Sequence, residues 1–184
     1  MFVASIKNMD ARSRIVATAS RLFYTQGYNS TGINQVIKEA EVAKASLYQY
    51  FPSKEDLLAE YLKLTAASTN EMLEAAAAKH KNPKDKVLAI FDVVQQSTKQ
   101  TGFNGCHFLN VAAEIPMGNS IVKGIVKKQK NYIRGLFTGI LKPVGKEALA
   151  DELYLLFDAA LVSGKVFGDP WPAKAARKVA EKLL

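Results

Sequence analysis

Apolar side chains recur at three- and four-residue intervals along most of the chain, which is the spacing of one face of an α-helix. The first such stripe consists of Ile15, Ala19, Leu22 and Phe23. Asp10 precedes this stripe and can cap the helix start, because its carboxylate accepts backbone N–H groups. Gly27 follows the stripe and can end the helix, since glycine tolerates the conformations found at helix C-termini. We therefore predict a helix between these two residues.

The second stripe lies on a two-turn helix and consists of Ile33, Val36, Ile37 and Ala40. A turn follows this helix, and a third short helix covers residues 44–51. Its apolar residues Leu47 and Phe51 are four positions apart and share a face with the second stripe. Pro52 ends the third helix, because proline has no N–H to continue the hydrogen-bond ladder.

Ser53 is placed to cap a long fourth helix, with Glu55 and Asp56 in the first turn, where the helix dipole favours acids. This helix extends to the break at Asn82 and Pro83. Five more helical patterns follow, separated by Gly- and Pro-containing breakers, at residues 85–100, 107–115, 120–142, 147–168 and 172–184. The fold class is therefore all-α, with three short helices, a connecting helix and a larger helical bundle.

The second and third helices, joined by a tight turn, form a helix-turn-helix, whose second helix docks in the DNA major groove. With Leu47 and Phe51 facing inward, the outward face carries Lys44 and Tyr48, flanked by Ala45 and Gln49. A cation, a phenol and an amide can bond phosphates or base edges, while alanine allows close approach. The alternative is that Tyr48 and Tyr50 are half-buried core rings.

Composition and charge indicate which partners and which cellular location to expect. The 184 residues are 48% hydrophobic and carry a net charge of +8, which favours a polyanionic partner. Residues 1–63 contain eight Lys or Arg against six acids, so shape matters more than bulk charge in the helix-turn-helix. Cys106 is the single cysteine, so no internal disulfide forms and a cytoplasmic location is expected. No apolar run reaches about 18 residues, and no membrane partner is expected.

The segment from Asp10 to Tyr61 resembles the DNA-binding domain of the TetR family of transcriptional regulators. The resemblance is strongest in LYQYFPSKEDLL, which begins at Leu47. Two positions depart from the family pattern: Glu41 stands where the turn often has glycine, and Ala43 where a small polar residue often opens the reading helix. The resemblance implies an N-terminal arm at residues 1–9, a DNA-binding domain at 10–53 and a ligand-binding and dimerisation domain at 54–184, with 54–80 as connecting helix.

The resemblance also implies a homodimeric repressor that binds a near-palindromic double-stranded DNA operator and leaves it when a small-molecule effector binds. In this interpretation Thr31 caps the first helix of the motif and contacts phosphate, and Lys54 neutralises another phosphate. Base edges and backbone are contacted by the remaining predicted residues: Asn34, Lys44, Ala45, Ser46, Tyr48, Gln49 and Tyr50.

The effector site is expected in the C-terminal bundle and should suit an apolar or aromatic molecule. The segment GCHFLNVAAEIP, residues 105–116, resembles one that lines the bundle in part of the family. Asn110 and Glu114 can orient a ligand there, or face solvent, or cap a neighbouring element. The predicted ligand-binding residues are Phe91, Phe103, Phe108, Asn110, Glu114, Tyr132 and Phe137.

The dimer interface is expected on the last two helices, because residues 147–168 are apolar most of the way round. The predicted interface residues are Leu153, Leu156, Phe157, Ala160, Leu161 and Gly164. The alternative is that this is the central helix of a monomeric bundle. The basic run from Lys123 to Arg134 is either a solvated helix flank or a second polyanion-binding patch.

Enzymatic function is not expected, because we find no nucleophile with an adjacent base and no phosphate-binding glycine loop. Cys106 and His107 are adjacent, so on a helix their side chains point about 100° apart, which disfavours a catalytic pair. A buried Cys106 is preferred over a redox role, and no metal or cofactor is expected. The alternatives to a ligand-responsive repressor are a DNA- or partner-binding module without an effector, and a small-molecule-binding or catalytic helical bundle whose helix-turn-helix is incidental.

Overall fold

The computed structural model describes residues 9–116 and 120–184, and every regular element in them is helical, as predicted. The predicted N-terminal arm, residues 1–9, lies outside the described residues except for Met9. The helices are α1 (Ala11–Gln26), α2 (Ile33–Glu39), α3 (Lys44–Tyr50), α4 (Lys54–Ala78), α5 (Pro83–Thr98), α6 (His107–Glu114), α7 (Ser120–Leu141), α8 (Ala150–Phe167) and α9 (Trp171–Leu183). Two 3-10 turns, Lys142–Val144 and Glu147–Leu149, connect α7 to α8.

Several helix ends form at residues that the sequence predicts as caps or breaks. The Asp10 carboxylate accepts the Ser13 N–H at 2.8 Å, and Gly27 ends α1 with φ +93°. Ser53 and Asp56 make a reciprocal pair at the start of α4: the Ser53 hydroxyl accepts the Asp56 N–H at 3.1 Å, and the Asp56 carboxylate accepts the Ser53 N–H at 3.0 Å. Asn82 caps α5 by accepting the Lys84 N–H at 2.8 Å. These bonds satisfy N–H groups that have no partner inside their helices.

The described chain divides into two compact units. The first takes the chain up to Thr65 together with Asn110–Ile125. It is wider than the predicted DNA-binding domain, because the first turns of α4 are buried in it and Tyr61 packs its ring 5.9 Å from that of Phe23. The predicted domain boundary lies at the start of α4, and the helix-start signals there do not show that the first turns of α4 are buried.

The second unit comprises Ala66–Leu109 and Val126–Leu184. Its core is formed by α5, α7, α8 and α9 together with Leu73 and Ala77 of α4. The ring centroids of Phe91 and Phe137 lie 6.0 Å apart in this core, and neither side chain has exposed surface. Phe157 contacts Phe137 edge-on at 6.3 Å. Among the described helices, none is both long and apolar enough to cross a membrane.

Candidate nucleic-acid interface

The turn between α2 and α3 contains Glu41 with φ +52°, which makes it the one non-glycine residue of the described chain with positive φ. This is the position where the sequence departs from the expected glycine. The Arg14 guanidinium stabilises the turn, donating from Nε to the Ala40 carbonyl at 3.0 Å and from Nη2 to the Glu41 carbonyl at 3.3 Å. This role of Arg14 could not be predicted from the sequence, because nothing local to α1 indicates that Arg14 reaches the end of α2.

The inward face of α3 is the one that the sequence predicted. Leu47 has no exposed surface and Phe51 is 4% exposed, and both pack in the same unit as the fully buried Val36. Phe51 also carries the Arg12 guanidinium 5.4 Å from its ring centroid. These buried side chains hold α3 against the domain and leave its opposite face free.

The outward face of α3 is polar and accessible. Tyr48 is 41% exposed and Tyr50 is 42% exposed, so neither is a core ring. Lys44, Ala45 and Gln49 are also exposed, whereas Ser46 is half-buried. The Asn34 side chain is exposed on α2. An exposed helix face with a cation, phenols and an amide has the groups that bond phosphates and base edges.

The expectation for Thr31 is wrong in its capping part. The N-cap of α2 is Gly32, which makes no side-chain cap bond, and Thr31 has no exposed surface. The Thr31 hydroxyl instead donates to the Gly27 carbonyl at 2.6 Å and accepts from Gln26 at 3.3 Å. Its role in this conformation is to fix the turn between α1 and α2 from inside the domain.

Lys54 lies at the start of α4 with its ammonium 4.1 Å from the centroid of the Tyr28 ring, an attractive cation–π geometry. Partial burial lowers the pKa of Lys54, and the charge of Glu114 acts in the opposite direction. The predicted phosphate-binding cation therefore contacts the Tyr28 ring of its own chain.

Of the predicted ligand-binding residues, Asn110 and Glu114 belong to the first unit and the other five to the second. Phe91 and Phe137 fill the core of the second unit, and Phe108 is also buried. Phe103 is half-buried. The Tyr132 hydroxyl bonds the Glu74 carboxylate, and burial together with this acceptor raises the pKa of Tyr132 to about 12.

Polar side chains that the sequence analysis did not select lie inside the second unit. Gln129 is 4% exposed and donates to Asn70 at 2.7 Å. The Lys130 ammonium donates to Asp158 at 2.6 Å and to the Cys106 sulfur at 3.3 Å. Gln129 and Lys130 belong to the basic run from Lys123 to Arg134, for which a solvated helix flank was one of the two interpretations. Their positions on the inward side of the apolar stripe were the feature of the sequence that could have indicated their burial.

Two further titratable groups of the second unit are shifted by burial. Burial lowers the pKa of His107 to about 4. The pKa of Tyr154 is raised, first by burial and then by its hydrogen bond with Asp158. Both shifts favour the neutral forms of these side chains in the folded protein.

The residues predicted for the dimer interface are packed, wholly or in part, within the second unit. Leu153, Phe157, Ala160 and Gly164 are buried within the second unit, and Leu156 and Leu161 are half-buried against its core. The large exposed apolar residues of α8 and α9 are instead Leu155, Val162, Val166, Phe167, Trp171, Val179 and Leu183. Because α8 is apolar on more than one side, its periodicity could not show which side the protomer itself covers.

Comparison with known proteins finds similarity to bacterial transcriptional regulators. The family described as Bacterial regulatory proteins, tetR family, matches residues 15–61. The HTH-type transcriptional regulator YxaF of Bacillus subtilis is 38% identical over 158 residues, which cover 84% of this chain and 83% of that protein. The HTH-type transcriptional repressor NemR of Escherichia coli is 31% identical over 108 residues, 58% of this chain and 54% of that protein.

A solved structure agrees over nearly the whole length. SCO4454, a TetR-family transcriptional regulator from Streptomyces coelicolor, superposes with a TM-score of 0.90 at 30% identity, covering 95% of this chain and 88% of that one. The match covers residues of both compact units. This chain therefore belongs to the TetR family and is a DNA-binding transcriptional regulator.

Proposed function

We propose that this protein is a homodimeric repressor that binds a near-palindromic operator through α3 of each subunit and is released by a small-molecule effector. The observation that carries the proposal is the two-sided character of α3, with Leu47 and Phe51 buried and Tyr48 and Tyr50 more than 40% exposed. A relative over 58% of this chain, NemR, is itself named a repressor. The proposed division is a reader at residues 10–53 and an effector and dimerisation region at 54–184.

The proposed DNA contacts lie on α2, α3 and the start of α4. Lys44, Ala45 and Ser46 face base edges at the N-terminal end of α3, the end that enters the groove in helix-turn-helix proteins. The other proposed contacts, to backbone or bases, are Asn34, Tyr48, Gln49, Tyr50 and Lys54. Thr31 contributes by fixing the turn from within, because it has no exposed surface.

Dimerisation is proposed through the exposed apolar face of α8 and α9. Val166 is 71% exposed and Leu155 is 64% exposed, and the rings of Phe167 and Trp171 lie 5.0 Å apart on the same pair of helices. Contiguous exposed apolar side chains of this kind mark an interaction surface. A two-fold contact uses the same patch on both subunits, which suits a near-palindromic DNA site.

The effector is proposed to bind in the second unit, beside its inward-facing polar groups. The polar side chains in question lie among apolar ones and are Gln129, Lys130, Tyr132 and Asp158. A few polar groups in a mostly apolar site can orient a small molecule. An apolar or aromatic molecule with one polar group fits this chemistry. An effector can release DNA only if it binds the released dimer better than the DNA-bound one.

Footprinting the purified protein on the DNA that flanks its own gene tests the first part of the proposal. The expected result is a protected near-palindrome with half-sites one helical turn, or a multiple of it, apart. Thermal-shift screening of apolar and aromatic compounds, followed by titration against that operator, tests the second part. A stabilising compound should weaken operator binding, and the operator should weaken the compound's affinity by the same factor.

A DNA-binding regulator without an effector is the second candidate. The observation in its favour is that Phe91 and Phe137, two of the predicted ligand-binding residues, fill the core of the second unit with no exposed surface. Footprinting alone does not separate the two candidates, whereas the titration does. Compounds that bind the second unit and leave operator affinity unchanged would favour this candidate.

A further inference from the structure

The C-terminal end of α6 makes a close, bonded contact with the turn between α1 and α2. The Glu114 carboxylate accepts the Asn29 backbone N–H at 2.7 Å, and the Glu114 carbonyl accepts the Asn29 side-chain amide at 2.9 Å. These residues are 85 positions apart in the sequence and belong to the same compact unit. A carboxylate bonded to a backbone amide is a strong, charge-assisted hydrogen bond.

The turn is shaped to let Glu114 approach. A Cβ placed on Gly27 would lie 2.8 Å from Glu114 Oε1, closer than real Cβ atoms come to a neighbour. Gly27 also has φ +93°, a conformation that side chains rarely adopt. Glycine at this position therefore avoids the φ strain, and an added methyl would also displace the Glu114 carboxylate from its present position.

The same turn is bonded to the first helix of the DNA-binding motif. Thr31 donates to the Gly27 carbonyl at 2.6 Å, and Gln26 donates to both Thr31 at 3.3 Å and Gln35 on α2 at 2.8 Å. A hydrogen bond weakens steeply when its atoms separate by more than a few tenths of an ångström. A shift of the end of α6 by about 1 Å must therefore move the turn or break the Glu114 bonds.

We propose that Glu114 is a positioning residue for operator binding: through Asn29 and the Gly27–Thr31 turn, it holds α2 and α3 in the arrangement that matches DNA. This inference rests on the proposed function, since it concerns binding to the operator. It assigns to Glu114 a role different from the ligand contact that the sequence suggested.

The test compares Glu114→Ala with Glu71→Ala, which removes the same charge from an exposed position of α4 in the other unit. Operator affinity is measured by fluorescence anisotropy at a temperature where circular dichroism shows both variants folded. Loss of the Glu114 charge, which acts on Lys54, should by itself strengthen binding to DNA. Glu114→Ala is instead expected to weaken operator binding about tenfold relative to Glu71→Ala. This effect is opposite in sign to the one that loss of charge alone would produce.

Two further variants show whether the contact itself is responsible. Glu114→Gln keeps an oxygen that can accept the Asn29 N–H, so its loss should be smaller, and it replaces Glu114→Ala if that variant does not fold. Gly27→Ala should weaken operator binding more in the wild type than in the Glu114→Ala background. The φ strain is the same in both backgrounds, so the difference isolates the contact between the added methyl and the carboxylate.

Hydrogen exchange gives a readout of the turn that does not involve DNA. Exchange over residues 27–39 should be faster in Glu114→Ala than in Glu71→Ala. Equal operator affinities for these two folded variants, with wild-type protein binding the operator, would overturn the inference and leave the proposed function standing. If the wild-type protein protects no DNA, the proposed function itself fails.

Discussion

The neighbouring residues Leu47 and Tyr48 of α3 provide the sharpest test of the DNA-binding surface. Leu47 has no exposed surface, whereas Tyr48 is 41% exposed. Replacing a fully buried leucine by alanine removes its packing and leaves a cavity, which costs about 2–5 kcal/mol. Against a total stability of about 5–15 kcal/mol for a typical domain, Leu47→Ala should lower the urea midpoint strongly.

Tyr48→Ala should leave the stability of the protein nearly unchanged and weaken its binding to DNA. Surface substitutions usually change stability by about 0.5 kcal/mol, so its urea midpoint should stay close to that of the wild type. If the Tyr48 hydroxyl bonds a phosphate, its loss costs about 1.5–3 kcal/mol in each subunit. A dimer then binds its operator at least about a hundredfold more weakly, because each 1.4 kcal/mol corresponds to about a factor of ten.

The assays are urea unfolding followed by circular dichroism, and fluorescence anisotropy with the footprinted operator. Tyr48→Phe is the matched control, because it keeps the ring and removes only the hydroxyl that would bond DNA. Tyr48 does not belong to the DNA-binding surface if Tyr48→Ala unfolds the protein as readily as Leu47→Ala does. The same conclusion follows if folded Tyr48→Ala binds the operator with wild-type affinity.

Three other perturbations test separate features. Glu41→Gly should be about 1 kcal/mol more stable to urea than Glu41→Ala, since only glycine adopts the φ of +52° without strain; equal stability would contradict this. Val166→Asp should give monomers in sedimentation velocity and lose operator affinity. The control Val144→Asp, which changes an exposed residue outside α8 and α9, should stay dimeric. A dimeric Val166→Asp protein would show that the interface lies elsewhere. Lowering the pH from about 7.5 to about 5 should destabilise the protein by about 2 kcal/mol through His107, because its lowered pKa of about 4 leaves it neutral when folded and protonated when unfolded. His107→Gln should remove this part of the pH dependence, and an unchanged pH profile would contradict it.

Local sequence determined the helices and their ends, because the signals involved act within one or two turns. Asp10, Gly27, Ser53 and Asn82 cap or end helices through contacts with the nearest backbone groups. The apolar spacing around Leu47 likewise showed which side of α3 is buried, because a short helix with one narrow stripe has one inward face. The reading helix and its exposed residues could therefore be predicted without coordinates.

The tertiary structure decided the features that depend on partners distant in sequence. Periodicity showed that α8 is apolar on more than one side, but only the packing of α5, α7 and α9 determined that Leu153 and Phe157 are covered while Val166 is not. The Glu114–Asn29 contact spans 85 positions and was open in the sequence, where capping a neighbour was one of three alternatives for Glu114. Capping residues and apolar stripes carry information over a few residues, whereas burial and long-range hydrogen bonds depend on which surfaces meet when the chain folds.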